Sequence, residues 1–174
     1  RVNVNNKLRE LVVGAMLAAL AIIIPVQFSF LRVIIPPFSA TLASHVPMFV
    51  SMLIGPYAAA ICGIGSVIGF IYSGLNIVVV ARAATHIVAG ISGALLIKKG
   101  RSMYTAFAVT MPIHAVLEAL VVIPFGYTAY NVLIVVGAGT AIHHLIDAAI
   151  STAVLYALNP VLKLGLNRRK TRAL

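Results

Sequence analysis

The sequence predicts an all-α integral membrane protein, a six-helix bundle with both termini in the cytoplasm. Hydrophobic residues make up 61% of the 174 residues, charged residues make up 9%, and the chain has three acidic residues. Soluble domains usually carry about 25% charged residues, so this chain lacks the polar shell that water requires. Its length accommodates six spans of about 20 residues and leaves no room for a soluble domain.

Apolar segments separated by turn signals define the helices of this single transmembrane domain. They cover residues 8–26, 38–54, 56–72, 76–97, 103–123 and 132–158.

The first three helices are delimited by prolines and glycines. The hydrophobic segment of helix 1 ends in Pro25-Val26-Gln27 and lacks a small-residue cleavage site, which favours a spanning helix over a signal peptide. A polar segment, 27–37, separates it from helix 2, which ends at the turn pair Gly55-Pro56. Helix 3 begins with Pro56, a residue favoured in a first turn. An alternative joins helices 2 and 3 into a hairpin that does not cross the membrane.

The last three helices are separated by two loops and a basic turn. The short loop 73–76 precedes helix 4, and the turn 98–101 precedes helix 5, where Pro112 predicts a kink. The loop 124–131, rich in Pro, Gly and Tyr, precedes helix 6, and Asn159-Pro160 begins a basic tail.

The Lys and Arg residues predict the orientation of the bundle, because such residues accumulate in cytoplasmic loops. All 13 except Arg32 and Arg82 fall in the N-terminal segment, the 98–101 turn or the C-terminal tail, namely Arg1, Lys7, Arg9, Lys98, Lys99, Arg101, Lys163, Arg168, Arg169, Lys170 and Arg172. The net charge of +10 is therefore mainly a topology signal, with contact to anionic lipid as an addition. No nucleic-acid partner is implied.

Titratable residues inside the predicted spans are candidate binding residues, because burying them in a membrane is costly. Three helices carry such residues four positions apart, which places each pair on one helix face. The candidate substrate-binding residues are His45, Arg82, His86, His114, Glu118 and His143, with Tyr127 and Asn131 as capping residues in the 124–131 loop. The rise per residue predicts that His45, Arg82 and Glu118 share one depth near the outer face, with the other histidines deeper.

Alternatives remain open for these residues. Arg82 and Glu118 form either a structural ion pair or a ligand site. His143 and Asp147 form either a helix-to-helix contact or part of a cavity. The loop tyrosines form either a cap over the ligand or a belt at the membrane interface. His143 and His144 point about 100° apart, so we expect one of them to face away from the cavity.

No His-x-His or His-x-x-x-His spacing exists and Cys62 is isolated, so no metal site is predicted. No nucleophile motif or phosphate-binding loop is present, so no enzymatic activity is predicted.

Small residues on helix 1 predict a docking face. Ala15 and Ala19 lie four residues apart, as do Gly14 and Ala18, and such spacing allows another helix to approach closely. This density of small residues favours a partner protein.

Three stretches together resemble the substrate-binding S components of energy-coupling factor (ECF) vitamin transporters. They are Ala15-x-x-x-Ala19 in helix 1, the segment 36–49 reading PPFSATLASHVPMF, and the segment 81–88 reading ARAATHIV. The resemblance covers nearly the whole chain. It implies a multi-pass protein of a prokaryotic plasma membrane that captures a small vitamin from outside and is not itself an enzyme.

The resemblance also implies partners. Ala15 and Ala19 are the implied docking residues for the transmembrane coupling protein EcfT, which carries the ATPase subunits EcfA and EcfA'. ATP and Mg²⁺ act at those subunits, and no cofactor is expected in this chain. Arg82 suits a carboxylate, as in pantothenate or niacin, whereas Glu118 and the histidines suit hydroxymethylpyrimidine or pyridoxine. The alternative function is a stand-alone, proton-coupled secondary transporter of a small polar solute.

Overall fold

The computed structural model describes the backbone of residues 4–162 and the side chains of residues 6–160. The predicted topology charges at Arg1, Lys163, Arg168, Arg169, Lys170 and Arg172 lie outside the described residues.

The described residues form six α-helices and one small β-hairpin, which confirms the predicted fold class. The helices are α1 Val4–Gln27, α2 Val46–Ile54, α3 Pro56–Tyr72, α4 Ile77–Lys98, α5 Met103–Val122 and α6 Gly139–Leu162. A π-helical segment, Asn131–Ala138, leads directly into α6. Four helical stretches are long and apolar enough to cross a membrane: Asn6–Gln27, Ile77–Lys98, Met103–Phe125 and Asn131–Pro160.

The predicted start of helix 2 at residue 38 is wrong, because residues 38–41 belong to a strand. β1 Arg32–Ile35 and β2 Phe38–Thr41 form an antiparallel pair. The β-branched run Val33-Ile34-Ile35 favours a strand, and the Pro36-Pro37 pair between the strands makes the turn. As a result α2 has nine residues and is too short to cross a membrane alone.

The hairpin and the segment after it enter the bundle. All four residues of β2 are buried, and the chain continues inward to His45, the residue immediately before α2. Pro47 occupies the first turn of α2, where proline is tolerated. A proline at this position breaks no helical hydrogen bond, so it frees no carbonyl that His45 would have to satisfy.

The long helices alternate in direction. A Cβ atom added at Gly14 on α1 would meet Ala58 on α3, and one added at Gly65 on α3 would meet Ala18 on α1. Later residues of α1 thus meet later residues of α3, so the two helices lie side by side and parallel. Arg82 on α4 contacts Glu118 on α5, and Glu118 contacts Thr140 on α6. The start of α1 and the α4–α5 turn therefore lie at one end of the bundle, here called the basic end. The hairpin lies at the other, here called the hairpin end.

The α1–α3 contact is tight enough to make a testable prediction. A Cβ added at Gly65 would lie 2.6 to 2.8 Å from atoms of Ala18, whereas one added at Gly90 on α4 would meet atoms no closer than 3.4 Å. We expect Gly65→Ala to destabilise the protein by about 1–3 kcal/mol, the usual cost of overpacking. Gly90→Ala is the matched control and is expected to be neutral or slightly stabilising. Thermal unfolding in detergent measures both, and equal melting temperatures for the two variants would contradict this packing.

Candidate functional site

A buried ion pair joins α4 to α5. Arg82 donates from Nε and Nη2 to Oε2 of Glu118 at 2.9 and 2.6 Å. Its Nη1 donates to the carbonyl of Pro37 at 3.2 Å, and its guanidinium lies 4.9 Å from the centre of the Phe38 ring. Both side chains are only 4% exposed, so neither charge is solvated by bulk water. The hairpin is thus attached directly to the buried arginine.

The two carboxylate oxygens of Glu118 face different partners. Oε2 accepts hydrogen bonds from Arg82 and from the hydroxyl of Thr140 on α6. Oε1 lies 3.2 Å from Nε2 of His114 and 3.8 Å from Nε2 of His86. Glu118 therefore connects the arginine to a layer of histidines.

Five imidazole rings form that layer. The ring centre of His45 lies 4.7 Å from that of His86, 4.8 Å from that of His114 and 4.4 Å from that of His143. His144 completes the layer, with its Nδ1 3.2 Å from Nδ1 of His114. Residues from α2, α4, α5 and α6 thus meet at one level of the bundle.

Asp147 on α6 anchors the segment that enters the bundle. Its carboxylate accepts hydrogen bonds from the backbone N–H groups of Ala43 at 2.8 Å and His45 at 3.0 Å. It also lies 3.1 Å from Nε2 of His143. Ala43 has a φ of +66°, a left-handed conformation that is unfavourable for alanine, and the hydrogen bond to Asp147 helps to hold it. Asp147 therefore fixes the position of His45.

A small cavity lies between the hairpin and the histidine layer. Its walls include Ser39 and Ser44 from the hairpin segment and Arg82, His86, Glu118 and His143 from the helices. The free volume is about 10 Å³, which is room for about one water molecule. The hydroxyl of Ser39 is buried and has no hydrogen-bond partner among the described residues. The cavity therefore presents a cation, hydroxyls and imidazoles in a small space.

Comparison with known proteins identifies the family. The niacin transporter NiaX of Lactococcus lactis subsp. cremoris (strain MG1363) is 32% identical over an alignment of 157 residues, and the match covers 81% of this chain and 70% of that protein. The chain belongs to the family of S components of ECF transporters. It is thus a multi-pass, substrate-binding membrane component of a vitamin transporter and not an enzyme. No family model matches the chain, and no solved structure matches it significantly.

The structure brings together six of the eight residues that the sequence suggested for this S component. His45, Arg82, His86, Glu118 and His143 line the cavity, and His114 lies directly behind it against Glu118. His45 lies in the histidine layer and not at the depth of Arg82, because α2 starts inside the bundle. The expectation that it shares the depth of Arg82 and Glu118 is therefore wrong.

Tyr127 and Asn131 lie apart from the cavity. The half-buried Tyr127 packs against an apolar cluster that includes Val122 and Val136, and the backbone N–H of Asn131 bonds to Thr128. As expected from their angular separation, His143 and His144 face different ways. His144 Nε2 lies 3.0 Å from the carbonyl of Phe107 on α5.

Sequence reasoning missed the hydroxyl residues of this S component. Ser39, Ser66 and Thr140 each lie within the buried polar cluster. Serine and threonine are common in membrane helices, where they also bond to their own backbone, so the residue type alone gives no signal. Thr140 could have been found from its position three residues before His143, on the same face of α6.

The small residues of α1 divide into two faces. Gly14 is buried and Ala18 half-buried, and both meet α3. Ala15 and Ala19 are exposed and lie among exposed apolar side chains, including Met16 and Leu20. Gly14 and Ala18 therefore serve the tight packing of α1 against α3 within this S component, whereas Ala15 and Ala19 stay uncovered.

Proposed function

We propose that this S component binds nicotinic acid and delivers it to an ECF module. The observation that carries the proposal is a buried, cavity-lining arginine in a chain related to a niacin transporter over most of its length. Nicotinic acid is a pyridine ring with one carboxylate, so it needs a cation at one side and ring-nitrogen partners at the other. Arg82 is a cation suited to the carboxylate, and the imidazoles are suited to the ring nitrogen.

Arg82 supports carboxylate binding through its present contacts. A guanidinium offers five N–H donors and binds carboxylates in a two-pronged geometry. Two of the nitrogens now converge on a single oxygen of Glu118, and a third bonds to the weaker acceptor Pro37. A ligand carboxylate can replace the Pro37 carbonyl without breaking the ion pair. The partnerless hydroxyl of Ser39 supplies a further donor in the same wall.

Binding requires the cavity to open. About 10 Å³ of free volume is too little for a pyridine ring, and each wall but one consists of helices packed together. The remaining wall is β2, whose Ser39 and Ala40 line the cavity. We propose that the hairpin moves outward to admit nicotinate and closes over it, with the bond between Arg82 and Pro37 exchanged for a bond to the ligand.

The proposed orientation puts the hairpin end outside the cell and the basic end in the cytoplasm. It is supported by Lys7, Arg9, Lys98, Lys99 and Arg101 at one end, in agreement with the positive-inside rule. The proposed partners are the coupling protein EcfT and the ATPases EcfA and EcfA', which hold ATP and Mg²⁺. The proposed contact to EcfT is the uncovered face of α1 around Ala15 and Ala19.

Calorimetry on the purified protein in detergent tests the substrate. We expect nicotinic acid to bind at least tenfold more tightly than nicotinamide, because the amide cannot form the charge-assisted contact with Arg82. Pyridoxine and pantothenate serve as the competing small vitamins. Equal affinity for nicotinic acid and nicotinamide, or tighter binding of pyridoxine, would contradict the proposal.

A further inference from the structure

A second ligand is suggested by four side chains that converge beneath the cavity. We propose that His45, His86, His114 and Glu118 form a binding site for a divalent transition-metal ion, and that Zn²⁺ matches its geometry best. The proposal stands on the geometry alone and does not require nicotinate binding. Zn²⁺ in proteins favours four ligands in a tetrahedron, with imidazole nitrogens and a carboxylate oxygen among its usual donors.

The spacing of the donor atoms fits such a tetrahedron. Donors about 2.0–2.1 Å from an ion in this geometry are roughly 3.3 Å apart. Nε2 of His45 lies 3.1 Å from Nε2 of His86. Oε1 of Glu118 lies 3.2 Å from Nε2 of His114 and 3.8 Å from Nε2 of His86. The three imidazoles each offer a nitrogen within 4.8 Å of the others, so bringing the most distant donors to tetrahedral spacing requires shifts of up to about 1.5 Å.

The hydrogen bonds behind His114 leave a lone pair facing the carboxylate. Nε2 of His144 lies 3.0 Å from the carbonyl of Phe107, which can only accept, so this nitrogen carries a hydrogen. Nδ1 of neutral His144 is then an acceptor, and Nδ1 of His114, 3.2 Å away, must donate to it. Nε2 of neutral His114 consequently has no hydrogen. It lies 3.2 Å from Oε1 of Glu118, and two lone pairs at that distance need a cation between them.

The far nitrogen of His86 has the kind of partner that metal-binding histidines usually have, and the far nitrogen of His45 faces a carboxylate without a hydrogen bond to it. A histidine ligand normally engages a carboxylate, hydroxyl or carbonyl with its second nitrogen, which fixes the orientation of the ring. Nδ1 of His45 lies 3.3 Å from Asp147, and Nδ1 of His86 lies 2.7 Å from the hydroxyl of Ser66. All three rings are almost fully buried. The site is therefore oriented from behind and shielded from water.

The formal charge of the cluster also favours a cation. With neutral imidazoles, Arg82 contributes one positive charge, and Glu118 and Asp147 contribute one negative charge each, so the described cluster carries a net charge of −1. A buried net charge is costly. A divalent ion changes the sum to +1, which also suits an anionic substrate; this last step rests on the proposed function.

The expectation of no metal site rested on spacing within single helices. These ligands come from the start of α2, from α4 and from α5, so no short sequence spacing can reveal them. A second group, His45, His143 and Asp147, also has donor atoms within 4.8 Å of one another. In this group Nε2 of His143 lies 3.2 Å from the carbonyl of Thr41, which can only accept, so this nitrogen carries a hydrogen and offers no lone pair to a metal ion.

Metal titration of the full chain tests the proposal. The protein is purified in detergent through a tag free of histidine, treated with a chelator and titrated with Co²⁺ and Zn²⁺ without nicotinate. We expect one ion per chain, the intense visible absorption of tetrahedral Co²⁺, its displacement by Zn²⁺, and a higher melting temperature with Zn²⁺. His86→Asn and His114→Asn should each weaken Zn²⁺ binding at least 10-fold, in line with the loss of one ligand.

His143→Asn is the matched control and should retain the Co²⁺ spectrum, because His143 belongs to the other group. Loss of the spectrum in this variant alone would overturn the ligand assignment. Absence of stoichiometric metal binding in the unsubstituted protein would overturn the proposal and place a proton between His114 and Glu118. The variants are first compared by size-exclusion chromatography, and a variant that aggregates is replaced by the corresponding Gln variant. Nicotinate calorimetry with and without Zn²⁺ then separates a failed metal site from a failed substrate assignment.

Discussion

Replacing Arg82 by alanine is expected to abolish nicotinate binding and to destabilise the protein. The substitution leaves the carboxylate of Glu118 buried without its cation, and breaking a buried ion pair from one side costs about 3–5 kcal/mol. It also removes the donor proposed to hold the substrate carboxylate, so we expect at least a 10-fold loss of affinity. Unfolding in detergent measures the first effect and calorimetry the second.

The double variant Arg82→Ala with Glu118→Ala separates the two effects. Removal of both charges leaves no unpaired ion, so we expect it to recover a large part of the lost stability, as replaced buried ion pairs commonly do. It should not recover nicotinate binding. Arg101→Ala, in the exposed turn after α4, is the matched control and should change neither quantity. If the double variant binds nicotinate normally, Arg82 does not bind the substrate and has only a structural role.

The candidate site was predictable as a set of helix faces. The pairs His114–Glu118 and His143–Asp147 are four residues apart, so each pair had to share a face, and polar residues in a membrane turn toward one another. Which faces meet could not be deduced, since it depends on helix order around the bundle. The contact between His114 and His144 arises from the packing of α5 on α6, which no local pattern specifies.

The entering hairpin was the least predictable part of the fold. Residues 38–54 form a largely apolar stretch interrupted by serine, threonine and histidine, and periodicity alone does not distinguish a buried helix from a buried strand in its short apolar pieces. The turn signal at Pro36-Pro37 and the β-branched residues of β1 were available, but they do not decide whether the residues after the turn form a strand or a helix. The deciding contacts are the hydrogen bonds from Ala43 and His45 to Asp147, more than 100 residues away in sequence.

Tryptophan at Ala15 or Ala19 is expected to abolish nicotinate uptake while leaving nicotinate binding intact. Both alanines are exposed on α1, so a large side chain there can extend into lipid without disturbing the bundle. A helix of the proposed partner EcfT that packs closely on this face would be pushed away by the indole ring. Uptake of labelled nicotinate by whole cells should fall at least tenfold, and co-purification with the ECF module should be lost.

Ala108→Trp provides the control that makes this result specific. Ala108 is an exposed alanine on α5, so the change in residue and the exposure to lipid are the same, and only the helix differs. We expect normal uptake in this variant. If Ala15→Trp and Ala108→Trp reduce uptake equally, the effect is general to the membrane surface and α1 is not the docking face. If Ala15→Trp also loses nicotinate binding, the uncovered face of α1 is needed for the fold itself. Loss of uptake in the α1 variants alone, with binding preserved, requires a partner that contacts α1 and argues against a stand-alone transporter.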